Sequence, residues 1–139
     1  MKIKLSTLNL KTIEDCFKTD KEFCKKWHVE APATAKECAK RTFEDLKTAQ
    51  LLKWYVIKDG RNIVGFFGNE GNTRLSSFFI KPKYRPANKE LFEMLIQNLE
   101  KPFISGVYNK NIPALKWLQK MGGNAKHRYK EGTLVIFEE

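Results

Sequence analysis

Hydrophobic positions along this chain change their spacing several times, and each change marks a new element. Residues 2–5 alternate polar and apolar side chains, which predicts a short strand. Helical spacing follows over residues 12–27 and again from Thr34 or Ala35 to about residue 49, with a break around Pro32. Thr12 is the candidate N-cap of the first helix. The N-terminal third is therefore predicted to be a strand followed by two helices.

From residue 51 the spacing becomes that of strands. Three segments are rich in β-branched and aromatic residues, namely residues 54–58, 62–68 and 75–80. Asp59-Gly60 and the polar segment 69–72 separate them and have the composition of tight turns. This pattern predicts three consecutive antiparallel strands.

Helical spacing returns after a polar segment, residues 81–89. It predicts an amphipathic helix that ends before Pro102. The apolar side of this helix is formed by Leu91, Leu95, Ile96 and Leu99.

A strand, a turn and a helix are predicted over residues 102–123. Asn111 stands at the N-cap position of the helix and Pro113 in its first turn, where a missing N–H costs nothing. Gly122-Gly123 supplies a left-handed C-terminal cap. A closing hairpin over residues 127–137 turns at Glu131-Gly132. The same strand-turn-helix arrangement can carry a ligand at the strand's end, although most such units only build a core.

The predicted order of elements is β-α-α-β-β-β-α-β-α-β-β. It describes an α+β domain with a mainly antiparallel, mixed sheet and one strand-helix-strand crossover. The 139 residues contain no repeat or low-complexity linker, so we expect one domain, residues 1–139.

Composition adds three expectations. No apolar run approaches the roughly 18 residues of a membrane helix and no signal peptide is evident, so we expect a cytoplasmic protein without a membrane partner. Three cysteines and two histidines lack ligand spacing, so we expect no metal site and reduced cysteines packed as small hydrophobes. The net charge of +10 is spread along the chain, which is compatible with nucleic acid, anionic ligands or acidic partners.

Two local motifs resemble those of the GNAT superfamily of acyl-CoA-dependent N-acyltransferases, and the order and length of the elements match over essentially the whole chain. Residues 111–123 are similar to N-x-x-A-x-x-x-Y-x-K-x-G-F, with Asn111, Ala114 and Lys120 in register. Residues 80–85 (IKPKYR) are similar to V-x-P-x-Y-R. The resemblance implies a GNAT-like three-layer domain.

The resemblance also implies an activity, the transfer of an acetyl group from acetyl-CoA to an amine. In the family, the fourth and fifth strands splay apart and their edges bind the cofactor's pantetheine arm, while the loop after the fourth strand cradles the pyrophosphate. On the fifth strand the edge residues are Val107 and Tyr108. The other cofactor-binding residues implied here are Phe78, Phe79, Ile80, Arg85, Ala87, Asn88, Lys89 and Asn111.

The chain departs from the family pattern at three places. The pyrophosphate loop, residues 85–90 (RPANKE), has no glycine and carries Pro86 and Glu90. Leu118 stands where the family has its acidic tyrosine, and Ser76 and Ser77 stand where a basic glutamate often lies. No residue is therefore assigned as catalytic, with Tyr108 and Tyr129 as candidate replacements for the acid or as ordinary sheet aromatics.

Two other interpretations remain open. One is a catalytically degenerate GNAT-fold structural or interaction protein, of the kind that bacteriophages encode and carry in the virion. The other is a basic module that binds nucleic acid. The sequence does not identify the amine or a protein partner: the segments expected to bind the acceptor, residues 12–49 and 126–137, show no diagnostic acidic pocket.

Overall fold

The computed structural model describes residues 1–26 and 34–138. Its strands are β1 (Lys2–Ser6), β2 (Leu52–Asp59), β3 (Asn62–Glu70), β4 (Arg74–Ile80), β5 (Phe103–Tyr108), β6 (Asn124–Arg128) and β7 (Gly132–Phe137). Its helices are α1 (Leu10–Phe17), α2 (Lys21–Lys26), α3 (Ala35–Lys47), α4 (Asn88–Ile96) and α5 (Ile112–Lys120), with a 3-10 helix at Pro82–Ala87. The predicted α+β class is confirmed.

The strands form one seven-stranded sheet in the order β1-β2-β3-β4-β5-β7-β6. Neighbouring strands are antiparallel except β4 and β5, which are parallel because α4 carries the chain across between them. The three predicted strands after residue 51 are confirmed as β2, β3 and β4, and Gly60 takes the left-handed conformation in the first turn (φ 62°). The sheet is thus mixed and mainly antiparallel, as predicted.

Two hydrophobic cores lie on opposite faces of the sheet and make the three layers. α1, α2 and α3 cover one face, where Phe17, Cys38 and Phe66 are buried. α4 and α5 cover the other face, where Phe92, Leu118 and Phe137 are buried. Large aromatic side chains fill both cores, and their burial is a main source of stability for a chain of this size.

The predicted first helix is two helices in the structure, which is one helix more than the predicted order. Asn9, not Thr12, is the N-cap, because its side chain accepts the Thr12 N–H at 3.0 Å. The helix ends after Phe17, and Asp20 then accepts the Phe23 N–H at 3.1 Å and starts α2. The predicted continuation to residue 27 and the break around residue 32 lie outside the described residues.

The predicted caps of α5 are confirmed, and the structure shows a cap for α3 at one of the two predicted start positions. Thr34 accepts the Glu37 N–H at the start of α3, and Asn111 accepts the Ala114 N–H at the start of α5. Gly122 ends α5 in the left-handed region, with φ 105°. These signals lie within four residues of the helix ends that they define, which is why the sequence pattern is sufficient to place them.

The segment predicted as a polar connection is mostly helical. Residues 82–87 form the 3-10 helix, which runs directly into α4. α4 ends at Ile96, before the predicted end, and Leu99 is nevertheless buried in the core through the turns that follow. The segment that leads into α4 is therefore a short helix and not a glycine-rich loop.

None of the helices within residues 1–26 and 34–138 is long and apolar enough to cross a membrane. The same residues contain no group of three or more His, Cys, Asp or Glu side chains arranged to hold a metal ion. All three cysteines are reduced and buried. Burial raises the pKa of the Cys16 thiol from 9.0 to about 11 and that of Cys24 to about 12, so these thiols stay protonated at neutral pH.

Candidate functional site

β4 and β5 are paired only where they begin. Their parallel ladder consists of Arg74 with Ile104 and Leu75 with Ser105, supported by a 2.9 Å bond from the Ile104 N–H to the Thr73 carbonyl. Beyond Leu75 the two strands separate, although β4 continues to Ile80. The edge of β4 that faces β5 is therefore left without a strand partner.

A cavity of about 610 Å³ fills the gap, which we call the β4–β5 cleft. β4 contributes residues 76–79 to its walls and β5 contributes residues 105–108. Residues of α1, α2, α3, α5, the end of β3, the β6–β7 turn and the start of β7 also line it. Gly106 lies on the β5 wall, where an added Cβ would have only the Arg74 guanidinium near it, at 3.7 Å. A volume of this size is within the range of small-molecule and cofactor sites.

Three of the eight predicted cofactor-binding residues line the cleft, namely Phe78, Phe79 and Asn111. Phe78 stacks on Trp117 of α5, with ring centroids 5.3 Å apart and planes 10° apart. Phe79 points to the opposite face of the sheet and makes an edge contact with Phe17 at 5.1 Å. Asn111 both lines the cleft and caps α5. The other five predicted residues, Ile80, Arg85, Ala87, Asn88 and Lys89, do not line it.

Arg85 is held by two partners within the protein. Its Nη2 donates to the Asp20 carboxylate at 2.7 Å and its Nε donates to the Ile80 carbonyl at 3.1 Å. The guanidinium thus joins the end of β4 to the start of α2 through its Nε and Nη2. Arg85 fixes the position of the segment before α4.

The N-terminus of α4 keeps the features of an anion site. Ala87 is its N-cap, and no side chain of the described residues caps the first turn. Lys89 is exposed in this turn, and the Asn88 Oδ1 is buried without a partner among the described residues. N–H groups at a helix N-terminus attract anions, but here the Asn88 N–H already donates to the Arg85 carbonyl and Glu90 adds a negative charge to the same turn.

The two candidate tyrosines lie at the cleft, and both side chains are exposed at its wall. Asn109 holds this wall together: its Nδ2 donates to the Tyr129 carbonyl at 2.8 Å, and its Oδ1 accepts from Thr133 at 2.6 Å. Leu118 also lines the cleft and is buried. Two tyrosines thus line the cleft, whereas position 118 carries no hydroxyl.

Acidic side chains in the cleft were missed by the sequence pattern. Asp45, Glu70 and Glu131 line it, and Arg74 is the one basic residue among the described lining residues. The Glu70 Oε2 accepts from the Ser76 hydroxyl at 2.9 Å and from the Arg74 Nε at 3.1 Å. These acids come from α3, β3 and the β6–β7 turn, so no local spacing indicates that they share a cavity.

Comparison with known proteins agrees with this geometry. No family model matches the sequence, and no curated protein sequence matches it significantly. Solved structures do match over nearly the whole chain. An acetyltransferase from Thermus thermophilus superposes with a TM-score of 0.69 at 16% identity, covering 98% of this chain and 96% of the other.

Two further matches are ligand complexes. The Campylobacter jejuni N-acetyltransferase PseH, in complex with acetyl coenzyme A, superposes with a TM-score of 0.61 at 18% identity and 99% coverage of both chains. The spermidine N-acetyltransferase from Vibrio cholerae, in complex with CoA and spermine, gives 0.62 at 13% identity, with 98% and 95% coverage. The chain has the GNAT fold.

Within the GNAT fold, two of the three departures noted in the sequence now have positions. The glycine-free loop is the 3-10 helix and first turn of α4, and Leu118 packs into the core on the α5 side of the cleft. Of these two changes, Leu118 lines the open cleft and the glycine-free loop does not. The predicted three-layer GNAT-like domain is confirmed as the fold of this chain.

Proposed function

We propose that this protein is an acetyl-CoA-dependent N-acetyltransferase, which transfers an acetyl group to an amine. The observation that carries the proposal is the separation of β4 from β5 after Leu75, with a cavity of about 610 Å³ between the strands. In a closed ladder the backbone N–H and C=O groups of the two strands would bond to each other. Where the strands separate, these groups need other hydrogen-bond partners. The amides of a pantetheine arm are partners of the required kind.

The cofactor's arm is held by the free edge of β4 at Phe78, Phe79 and Ile80. An extended ligand laid along an exposed strand edge is bound by main-chain hydrogen bonds, as in strand addition between proteins. The Phe78–Trp117 stack forms one side of this groove, and Asn111 lies near its α5 end. When bound, acetyl-CoA supplies the thioester from which the acetyl group is transferred.

The cofactor's pyrophosphate is assigned to the start of α4. No side chain caps the first turn of α4, and the Asn88 side-chain amide and the exposed Lys89 ammonium lie there beside the N-cap Ala87. Arg85 contributes by fixing the preceding 3-10 helix through Asp20. Side chains thus replace part of what a glycine-rich loop supplies through its backbone.

Positioning supplies most of the catalysis in this proposal. Holding an amine against a thioester converts a bimolecular step into an intramolecular one, which is worth many powers of ten in rate. Tyr108 and Tyr129 line the cleft and are the candidate donors of a proton to the departing thiolate, in the role that Leu118 cannot fill. The matched complexes with acetyl coenzyme A and with CoA and spermine support a cofactor and an amine at this site.

The open cleft favours an enzyme over a protein that retains the fold for structure or interaction alone. The gap beyond Leu75 leaves room for a ligand, which a purely structural role does not need. A nucleic-acid site in this cleft is disfavoured by charge, because three carboxylates and one arginine line it among the described residues.

A turnover assay tests the proposal. The protein is incubated with acetyl-CoA and either lysine or spermine, and the acetylated amine is measured by mass together with the released CoA thiol. We expect one thiol for each acetylated amine. Absence of an acetylated product above the enzyme-free background with both amines would contradict the proposal.

A further inference from the structure

Glu70 lies at the point where β4 and β5 separate. It ends β3, and its carboxylate contacts Ser76, which is the first β4 residue beyond the last pair with β5. Glu70 and Ser76 both line the cleft. A carboxylate is therefore placed at the closed end of the gap between the strands.

A β-bulge in β4 brings these two side chains together. Gly68 pairs with Ser77 and Asn69 pairs with Leu75, so Ser76 is the extra residue. Bulges redirect the side chain of the extra residue, and here the Ser76 hydroxyl donates to the Glu70 Oε2 at 2.9 Å. The carboxylate that β4 itself lacks is thus supplied by β3.

The closed end is also where the reacting end of the cofactor falls. α4 follows the C-terminal end of β4, so an arm anchored at α4 and laid along the β4 edge runs back toward Ser76. The distance from Ile80 to Ser76 along an extended strand is about 13 Å. The thioester of such an arm would lie beside Ser76 and Glu70.

We propose that Glu70 receives the ammonium group of the acceptor and takes its proton, with Ser76 as a positioning residue. This inference rests on the proposed function. The Ser76 hydroxyl and the Arg74 guanidinium both bind the Glu70 Oε2, so the Oε1 is the oxygen assigned to the ammonium. The acceptor class is a primary alkyl amine that is protonated in water.

The transfer begins at the ammonium group of the acceptor. An N–H bond of the ammonium breaks and its proton passes to the Glu70 carboxylate. The nitrogen lone pair attacks the thioester carbonyl carbon, the new C–N bond forms, and the C–S bond breaks with its electron pair on sulfur. The nitrogen loses a second proton, which ends on the thiolate, and Glu70 returns its proton to solvent.

The test compares Glu70→Gln with Glu93→Gln, a matched change on the exposed side of α4. With lysine or spermine as the acceptor, we expect Glu70→Gln to lower kcat about 100-fold, in the range for loss of a general base, and to leave the acetyl-CoA Kd within about 3-fold. Glu93→Gln keeps the wild-type kcat. A kcat within about 3-fold of wild type in Glu70→Gln would overturn the assignment while leaving the proposed function intact.

A second pair of variants tests positioning. Ser76→Ala removes the hydroxyl that holds Glu70 and is expected to lower kcat about 10-fold, and Ser76→Thr, which keeps a hydroxyl, is expected to restore most of it. Equal activity of the alanine and threonine variants would show that the Ser76 hydroxyl does not position Glu70. If the wild-type enzyme acetylates neither amine, the proposed function itself fails, and the role of Glu70 fails with it.

Discussion

Single side chains in this structure hold segments together that are far apart in sequence. Arg85 and Asp20 are 65 residues apart and their side chains meet at 2.7 Å. Lys89, four residues later, is exposed. The family resemblance implies that Arg85 and Lys89 share one anion site. Their surroundings differ, so we expect them to have different roles.

Paired alanine variants separate these roles. Lys89→Ala removes an exposed charge near the proposed pyrophosphate site, so we expect the acetyl-CoA Kd to rise about 5-fold at low salt, with little change in unfolding free energy. Arg85→Ala removes a half-exposed ion pair and the bond to the Ile80 carbonyl, so we expect it to lower the unfolding free energy by about 1 kcal/mol.

Calorimetric titration measures the acetyl-CoA Kd of Lys89→Ala, and urea denaturation measures the unfolding free energy of Arg85→Ala. Each variant is the control for the other, because both remove one positive charge from the same segment. An unchanged Kd in Lys89→Ala would exclude Lys89 from the phosphate site. Wild-type stability in Arg85→Ala would show that its contacts with Asp20 and Ile80 contribute nothing measurable to the fold.

At the scale of elements, the function proposed here depends on the gap between β4 and β5. Gly106 offers a way to fill that gap without straining the fold, because its added Cβ would meet only the end of the Arg74 side chain, at 3.7 Å. Valine is also well suited to a strand.

Gly106→Val is therefore expected to fold normally and to bind acetyl-CoA about 10-fold more weakly than wild type, or worse, because its side chain occupies the cleft. Ala125→Val, a similar enlargement on the exposed strand β6, serves as the control. Thermal unfolding checks the fold and calorimetry the binding. Wild-type affinity in a folded Gly106→Val protein would mean that the cofactor does not enter beside β5.

Much of the element pattern could be predicted from sequence because its signals are local. Asn111, Pro113 and Gly122 define α5 within a few residues of its ends, and Asp59-Gly60 defines a hairpin. The division of the first helix was missed, since the apolar spacing continues through the break. Its determinant is Asp20, whose capping of α2 competes with that spacing.

The candidate site could be predicted only in part. Phe78, Phe79 and Asn111 follow from motifs in register with the family and do line the cleft. Glu70 could not be predicted, because its position depends on a bulge at Ser76 that only strand pairing reveals. The partnership of Arg85 with Asp20 is likewise tertiary, and neither residue's local sequence indicates it.

At the scale of the whole molecule, the charge of the cleft differs in sign from the net charge of the chain. The chain carries a net charge of +10, yet the cleft is lined by three carboxylates and one arginine among the described residues. The basic surface is thus separate from the cavity. An acidic cleft suits a protonated amine at the acceptor end, and the cationic exterior favours approach of an anionic cofactor.

The central claim is that the β4–β5 cleft binds acetyl-CoA. Isothermal titration calorimetry of the wild-type protein with acetyl-CoA measures it most directly. We expect saturable binding of one acetyl-CoA per chain, with a dissociation constant in the micromolar range. No heat of binding at millimolar acetyl-CoA would contradict it.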